Sequence, residues 1–361
     1  MEFGLFSESG FRSHAVSADT FEEDLREVIA ADRVGFREAW IAEPNHVRDN
    51  TVTHASILMA KAAGLTDRII FGSGIRQLPL HNPVSLVQEA NMLDNVTRGR
   101  YMFGYGGTHL VSLDQLNMRG LNVKHEDTRP MVYESIELFL KCWTSEEPFD
   151  FEGRYWQGTG IQVRPRPYQQ PHPPIAAACQ GSVDNIEAAA RNGFDALFGR
   201  GQDKAEEIRK WAAIYCKAAE SVGITPRRSK FRVVRVIYVD DTDEKARRAV
   251  RKSANDLLAL RKALIGDLYL KQRLKPGMTM DDMTFDWMCD EGYYWIGSPD
   301  TVYQYVKDYY DETGGFGVLL HYAGTPFGAL RQRTRSMRLF AESVAPRLKS
   351  LNPDLAPAAV S

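Results

Sequence analysis

The sequence predicts an α/β fold of the TIM (β/α)8 barrel class. Eight short apolar runs alternate with helical patterns along 361 residues, and no internal repeat or low-complexity linker divides them. The rival, a doubly wound open sheet, usually carries a GxGxxG turn after its first strand, and none follows here. The plainest unit is Ile69–His109, where the runs Ile69–Ile75 and Tyr101–Tyr105 flank a helical pattern over Pro83–Val96. Each run breaks at glycine and is too short for a helix, so each reads as a buried strand in a parallel βαβ unit. The turns Gly72-Ser73-Gly74 and Gly104-Tyr105-Gly106-Gly107 are expected to let a ligand approach the backbone closely.

The other elements follow in order. Glu2–Phe6 is a first strand, and Thr20–Val34 a helix with Thr20 as N-cap and Gly35 as its stop. Glu38–Glu43 is a second strand that ends in the polar turn Pro44-Asn45-His46. His54–Gly64 is a helix of small residues. Arg129–Trp143 is amphipathic, with Val132, Ile136, Phe139, Leu140 and Trp143 on one face. Phe149–Pro174 reads as an excursion or small hairpin. Ile175–Ala178 resumes as a buried strand, Val183–Asn192 is a helix, Ala196–Phe198 a strand and Asp203–Val222 a helix. Phe231–Val239 has the strongest β-branched content. Glu244–Asp267 is helical, and Lys271–Tyr294 has no clear assignment. Ser298-Pro299 starts the helix Asp300–Thr313, Gly317–His321 is the eighth strand, and Leu330–Leu348 closes the chain.

A net charge of −2 gives no general attraction to nucleic acid or to an anionic membrane, and no apolar run has the length of a membrane span. The four cysteines form no CxxC pair and the eight histidines no HxH or HExxH spacing, so neither a disulfide framework nor a metal is expected. The start MEFGLF enters a strand at once, without a basic leader, so the expected location is cytoplasmic.

In a barrel, chemistry sits at the carboxyl ends of the strands. The polar residues expected there are Glu43, Asn45 and His46 after strand two, Arg76, Gln77 and His81 after strand three, and Thr108 and His109 after strand four. Gln180, Gly181 and Ser182 follow strand five, Arg200 follows strand six, and His321 ends strand eight. Gly181-Ser182 opens a helix and reads either as a phosphate site or as a plain serine cap. Gly106-Gly107-Thr108 reads as an N–H nest for an anion or as a tight turn. Trp143 and Tyr155 read as core.

The block LPLHNPVSLVQEANMLDNVTRGRYMFGYG resembles the signature of the bacterial luciferase-like flavin-dependent monooxygenases. WIAE at 40–43, PIAAACQGS…AAARNGFDA at 174–196 and IGSPDTVYQYVKDYYDETGGFGVLL at 296–320 fit the same family in the same order. The resemblance implies one barrel domain over 1–350, with a lid-like insertion at about 268–294 and a frayed tail at 351–361. It implies reduced FMN supplied by a separate NAD(P)H:flavin reductase, O2 adding at the flavin C4a carbon to form a (hydro)peroxide, and oxygenation of an organic small-molecule substrate; the aromatic content and apolar strand ends favour a hydrophobic compound, cyclic ones included, over an anionic one. It also implies a homodimer; the helices His54–Gly64 and Pro83–Val96 read either as a close-packed dimer face or as helices packed on their own barrel. Carried over by position, Ser73-Gly74 matches the family's bulged, often cis, peptide beneath the flavin ring. Glu43 matches its acidic residue, and Gln180, Gly181 and Ser182 match its phosphate turn.

Two departures stand out. Pro44 occupies the place of the family's histidine after the glutamate, which leaves His46 as a displaced acid/base group or Asn45 as a donor. The family's phosphate arginine after strand four is absent, and Arg200 or Arg76 is left to replace it. Two other readings stay open: an F420-dependent oxidoreductase of the same fold, and a non-catalytic partner subunit of a luciferase-like heterodimer.

Overall fold

The structure, a computed structural model, describes residues 1–8, 17–43, 52–106, 125–265, 270–323 and 327–354. The strands are β1 (Glu2–Ser7), β2 (Glu38–Ile41), β3 (Ile70–Ser73), the two-residue β4 (Arg76–Gln77), β5 (Tyr101–Gly106), β6 (Phe149–Glu152), β7 (Gln157–Ile161), β8 (Ile175–Ala178), β9 (Asp195–Gly201), β10 (Phe231–Val239), β11 (Tyr294–Gly297) and β12 (Val318–Ala323). Eight of them close a parallel ring in the order β1, β2, β3, β5, β8, β9, β10, β12. β12 returns to β1 in a register from Glu2 opposite Val318 to Ser7 opposite Ala323. β9 joins β10 through a shift between Val233 and Arg235.

The helices are α1 (Ser17–Val34), α2 (Ala55–Ala63), α3 (Pro83–Thr97), α4 (Thr128–Thr144), α5 (Val183–Arg191), α6 (Ala205–Glu220), α7 (Asp243–Ile265), α8 (Phe285–Asp290), α9 (Pro299–Thr313), α10 (Leu330–Leu339) and α11 (Ala345–Leu348). Strand residues alternate between two cores, as the pleat requires. Leu5, Ala39, Phe71, Phe103, Val233 and Leu319 face the helices, while Phe6, Trp40, Met102, Leu197, Val234 and Leu320 fill the barrel. The fold class expected from the sequence is therefore present, with the same eight ring strands.

Trp40 dominates the barrel interior. A Cβ on Gly72 would lie 2.3 Å from its Cδ2, and one on Gly104 would lie 1.9 Å from the Ser73 carbonyl and 2.6 Å from the indole. These two glycines therefore make room for Trp40 and a neighbouring strand, not for a ligand as the sequence suggested. Trp40 Nε1 donates to Glu38 Oε2 at 2.7 Å, and Arg232 donates to both Glu38 oxygens at 2.8 and 2.9 Å and to Asp195 at 2.6 Å. The buried charges are mutually compensated, as burial demands, and they fix the indole's tilt.

Several local expectations change. Helix α1 begins at Ser17, so Thr20 lies in its first turn and does not cap it. The unassigned stretch contains α8 and leads into β11, which lies parallel to the outer half of β10. Phe149–Pro174 does hold a hairpin, β6 with β7. Trp143 is fully buried, but Tyr155 is half-buried and its hydroxyl donates to Asp127 at 2.8 Å. Ser298 accepts from the Thr301 N–H at 3.3 Å, the cap its sequence promised.

Candidate active site

At the carboxyl ends of β2 and β3 the outward parity of the pleat sends Glu43 toward the helices. Its Oε1 accepts from the Ala55 N–H at the start of α2 and from Arg76 Nη1. Arg76 also pairs with Glu89 on α3. The Arg76 and Glu43 side chains are 1% and 2% exposed. Burial raises the Glu43 carboxyl above the usual carboxylate range, with Arg76 opposing. Arg76 is thereby committed to carboxylates and does not replace the missing phosphate arginine. Glu43 Oε2 and Gln77 Oε1 are buried without a partner among the described residues.

Ser73 is fully buried and its hydroxyl works between strands. It accepts from the Gly104 N–H at 2.9 Å and lies 3.2 Å from the Tyr101 hydroxyl. Burial pushes Tyr101 up to about 12. The cis peptide bond of this corner joins Gly74 to Ile75, one residue beyond the Ser73-Gly74 bond matched from the sequence. A Cβ on Gly74 would lie 2.9 Å from the Phe6 ring, and one on Gly106 would meet Ile75 Cδ1 at 1.8 Å.

Across the ring, Gln180 Nε2 donates to the Gly199 carbonyl at 2.8 Å, which ties the end of β8 to β9. Gly181 has φ +75°, a conformation that suits glycine. Ser182 is the N-cap of α5, yet its Oγ makes no capping bond and is buried without a partner among the described residues. The first N–H groups of a helix have no intrahelical acceptor, so among the described residues this turn offers donors beside an unpartnered hydroxyl. Arg200 lies on β9, not after it, and its side chain is outside those described. Pro44, Asn45, His46, Gly107, Thr108 and His109 also lie outside the described residues.

His321 is corrected. It sits within β12 on the outward face, with its ring 5.0 Å from Phe36 and 4.2 Å from Phe340. Burial pushes it down to about 3. It belongs to the shell between barrel and helices, not to the rim. Strand parity carried the signal, because Tyr322 and not His321 shares the inward phase of Leu320.

A cavity of about 860 Å³ opens at the opposite, amino-terminal face, bordered by Glu2, Arg37, Gln169 and Lys349. Its buried charges, Glu38, Arg232 and Asp195, satisfy one another. Among the unpartnered buried atoms, those of Glu43, Gln77 and Ser182 lie at the carboxyl ends of the strands, where barrel sites form, so that face holds the candidate site. Among the described residues no group of His, Cys, Asp or Glu is arranged to hold a metal, and no helix is long and apolar enough to cross a membrane.

The family model for luciferase-like monooxygenases matches residues 1–315. The chain belongs to the luciferase-like monooxygenase family. Within it, the chain is 24% identical to 2,5-diketocamphane 1,2-monooxygenase 2 of Pseudomonas putida, over 97% of this chain and 100% of that one. It is 26% identical to limonene 1,2-monooxygenase of Rhodococcus erythropolis, over 99% and 88%. Among solved structures, the oxygenating constituent of 3,6-diketocamphane monooxygenase from P. putida, a type II Baeyer–Villiger monooxygenase in complex with FMN, superposes with a TM-score of 0.82. That match has 25% identity and covers 96% of this chain and 98% of that one.

The residues at this mouth fit a flavin mononucleotide by their chemistry. The α5 N-terminus and Ser182 Oγ suit a phosphate, and the unpartnered oxygen of Gln77 suits a polar atom of a heterocycle.

Proposed function

We propose that this chain is the oxygenase component of a two-component monooxygenase. It takes reduced FMN from a separate NAD(P)H:flavin reductase and, with O2, oxygenates a hydrophobic cyclic small molecule. The observation that carries the reading is the full-length likeness to oxygenases, joined to unpartnered polar atoms at the mouth where a flavin fits.

When bound, reduced flavin supplies the two electrons that activate O2. The protein's own residues do the rest. Gln180, Gly181 and Ser182 hold the phosphate. The backbone corner at Ser73-Gly74, held rigid by the Ser73 bonds to Gly104, would hold the flavin ring together with Gly106 and Gly107. Gln77, with Glu43 behind it, would hold the ring's polar edge, and Arg200 would balance the phosphate charge. His46 or Asn45 serves as the proton-handling group on the loop after β2. The insertion from Lys271 to Tyr294 acts as a lid, with Gly277 at φ +84° in the turn Lys275-Pro276-Gly277 as its hinge. Water exclusion by such a lid protects a reactive oxygenating species from wasteful decay.

A homodimer forms through α2 and α3. These helices pack on one another and leave Ile57, Met92 and Val96 exposed, with Leu65 exposed just after α2, and exposed apolar side chains of this kind mark an interface when they gather in a patch.

The test sets FMN and F420 side by side. Tight binding of reduced FMN with F420 ignored supports the reading. F420 binding with hydride transfer and no oxygen consumption replaces it with the oxidoreductase of the same fold. Failure to bind either, in the isolated chain, favours a non-catalytic partner subunit.

A further inference from the structure

A second polar cluster stands where the carboxyl end of β1 meets that of β12, and the reading above gives it no role. Phe6 and Tyr322 are partners across the ladder, and their rings stack at 6.3 Å. The Tyr322 hydroxyl donates to Glu8 Oε2 and accepts a 2.6 Å hydrogen bond from Arg261 Nη2 on α7. The Arg261 guanidinium lies 3.8 Å from the Glu8 carboxylate and 5.1 Å from the Tyr322 ring centroid.

Exposure divides the three residues. Tyr322 and Arg261 are 6% and 7% exposed, whereas 33% of the Glu8 side chain is open. The tyrosine and arginine therefore grip one oxygen of a carboxyl whose other oxygen, Oε1, has no partner among the described residues. Burial of the gripped end raises the carboxyl's affinity for a proton, against the pull of Arg261. A carboxyl poised in this way donates when protonated and accepts when ionised.

The surroundings are aromatic. Phe6, Tyr294 and Phe327 belong to the same inner cluster as Tyr322, with Tyr294 edge-on to Phe327 at 5.8 Å. Ligand sites of this kind are apolar walls with a few placed polar groups that set orientation. The position is also informative. In the eight-stranded ring β1 stands four strands from β8 in either direction. Glu8 and the Gln180-Gly181-Ser182 turn are thus at opposite poles of one mouth.

We infer that Glu8 orients the organic substrate by hydrogen bonding the alcohol or ketone oxygen of an otherwise apolar cyclic molecule, with Tyr322 and Arg261 as positioning residues. The inference rests on the flavin reading for the reaction that follows, while the recognition itself belongs to these three side chains.

The test uses three ten-carbon probes: camphor (a ketone), borneol (an alcohol) and limonene (a hydrocarbon). Dissociation constants are measured by tryptophan fluorescence on the full chain, with and without FMN. The expected result is at least tenfold tighter binding of camphor or borneol than of limonene. Ketone and alcohol arms separate the donating from the accepting carboxyl. Glu8→Leu is expected to erase the preference, and Tyr322→Phe, which keeps the ring and its stacking, to reduce it at least threefold. Near-ultraviolet circular dichroism checks that both variants keep the fold. Equal affinities, no binding of any probe, or an undiminished preference in Glu8→Leu each overturn the inference. FMN titration of the same proteins isolates the two readings. FMN bound equally by wild type and Glu8→Leu upholds the flavin site whatever becomes of Glu8, and FMN bound by neither ends the flavin reading alone.

Discussion

Arg76 and Glu43 form an ion pair sealed from solvent at the carboxyl ends of neighbouring strands, and the same guanidinium reaches Glu89 on α3. The pair joins the barrel rim to α2 and α3 and fixes the corner that precedes β5. Removing one partner strands a buried charge, which costs about 3–5 kcal/mol. Arg76→Met is expected to lose stability on that scale in urea unfolding at pH 7. The double variant Arg76→Met/Glu43→Gln, which leaves only the partly exposed Glu89 without its partner, is expected to lose clearly less.

The buried histidine gives a pH prediction. His321 has an ordinary value of 6.5 and is held at about 3 in the folded protein. Between these values the unfolded chain binds the proton that the folded chain refuses. Its contribution to stability is thus complete above about pH 6.5 and falls as pH drops toward 3, by about 1.4 kcal/mol per unit. Urea midpoints taken from pH 7 to pH 4.5 are expected to fall more steeply for wild type than for His321→Phe. Parallel slopes would refute the assignment.

The interior of the barrel predicts a packing effect. Gly72 faces the Trp40 indole with no room for a methyl group, and overpacking of this kind costs about 1–3 kcal/mol. Gly72→Ala is expected to lose that much, and Gly72→Ala/Trp40→Phe to recover part of it. Chemical denaturation followed by circular dichroism reads both without relying on tryptophan emission.

The exposed face of α2 and α3 predicts an oligomer. Ile57→Glu and Met92→Lys place charges among Ile57, Leu65, Met92 and Val96. Light scattering after gel filtration is expected to give a dimer for wild type and a monomer for the double variant. A wild-type monomer at micromolar concentration would remove the homodimer from the account.

Much of this molecule was legible in its sequence because its signals are local. Ile175–Ala178 and Phe231–Val239 are strands with the bounds their apolar runs suggested, since a continuous run ended by polar residues or glycine leaves little choice. The helical pattern from Pro83 likewise announced α3, which the structure caps with Asn82, whose Oδ1 accepts from the Ser85 N–H at 3.1 Å. Side-chain direction was less legible. His321 looked like a rim residue by its place at a strand end, yet one step of the pleat sends it outward and Tyr322 inward. Gly72 and Gly104 looked like ligand contacts, because a sequence does not show that Trp40 needs their space. The Glu8–Tyr322–Arg261 cluster joins the first strand, the last strand and a helix between them, a contact that no short window holds.

The central claim, an oxygenase fed by reduced FMN, is tested most directly with isotopic oxygen. The purified chain, a flavin reductase, NADH and FMN are incubated under 18O2 with a cyclic ketone or terpene, and the products are weighed by mass spectrometry. The account predicts a substrate-dependent product that carries one 18O atom and disappears when FMN is omitted. Hydrogen peroxide as the sole fate of the oxygen, with every candidate substrate recovered unchanged, would contradict it.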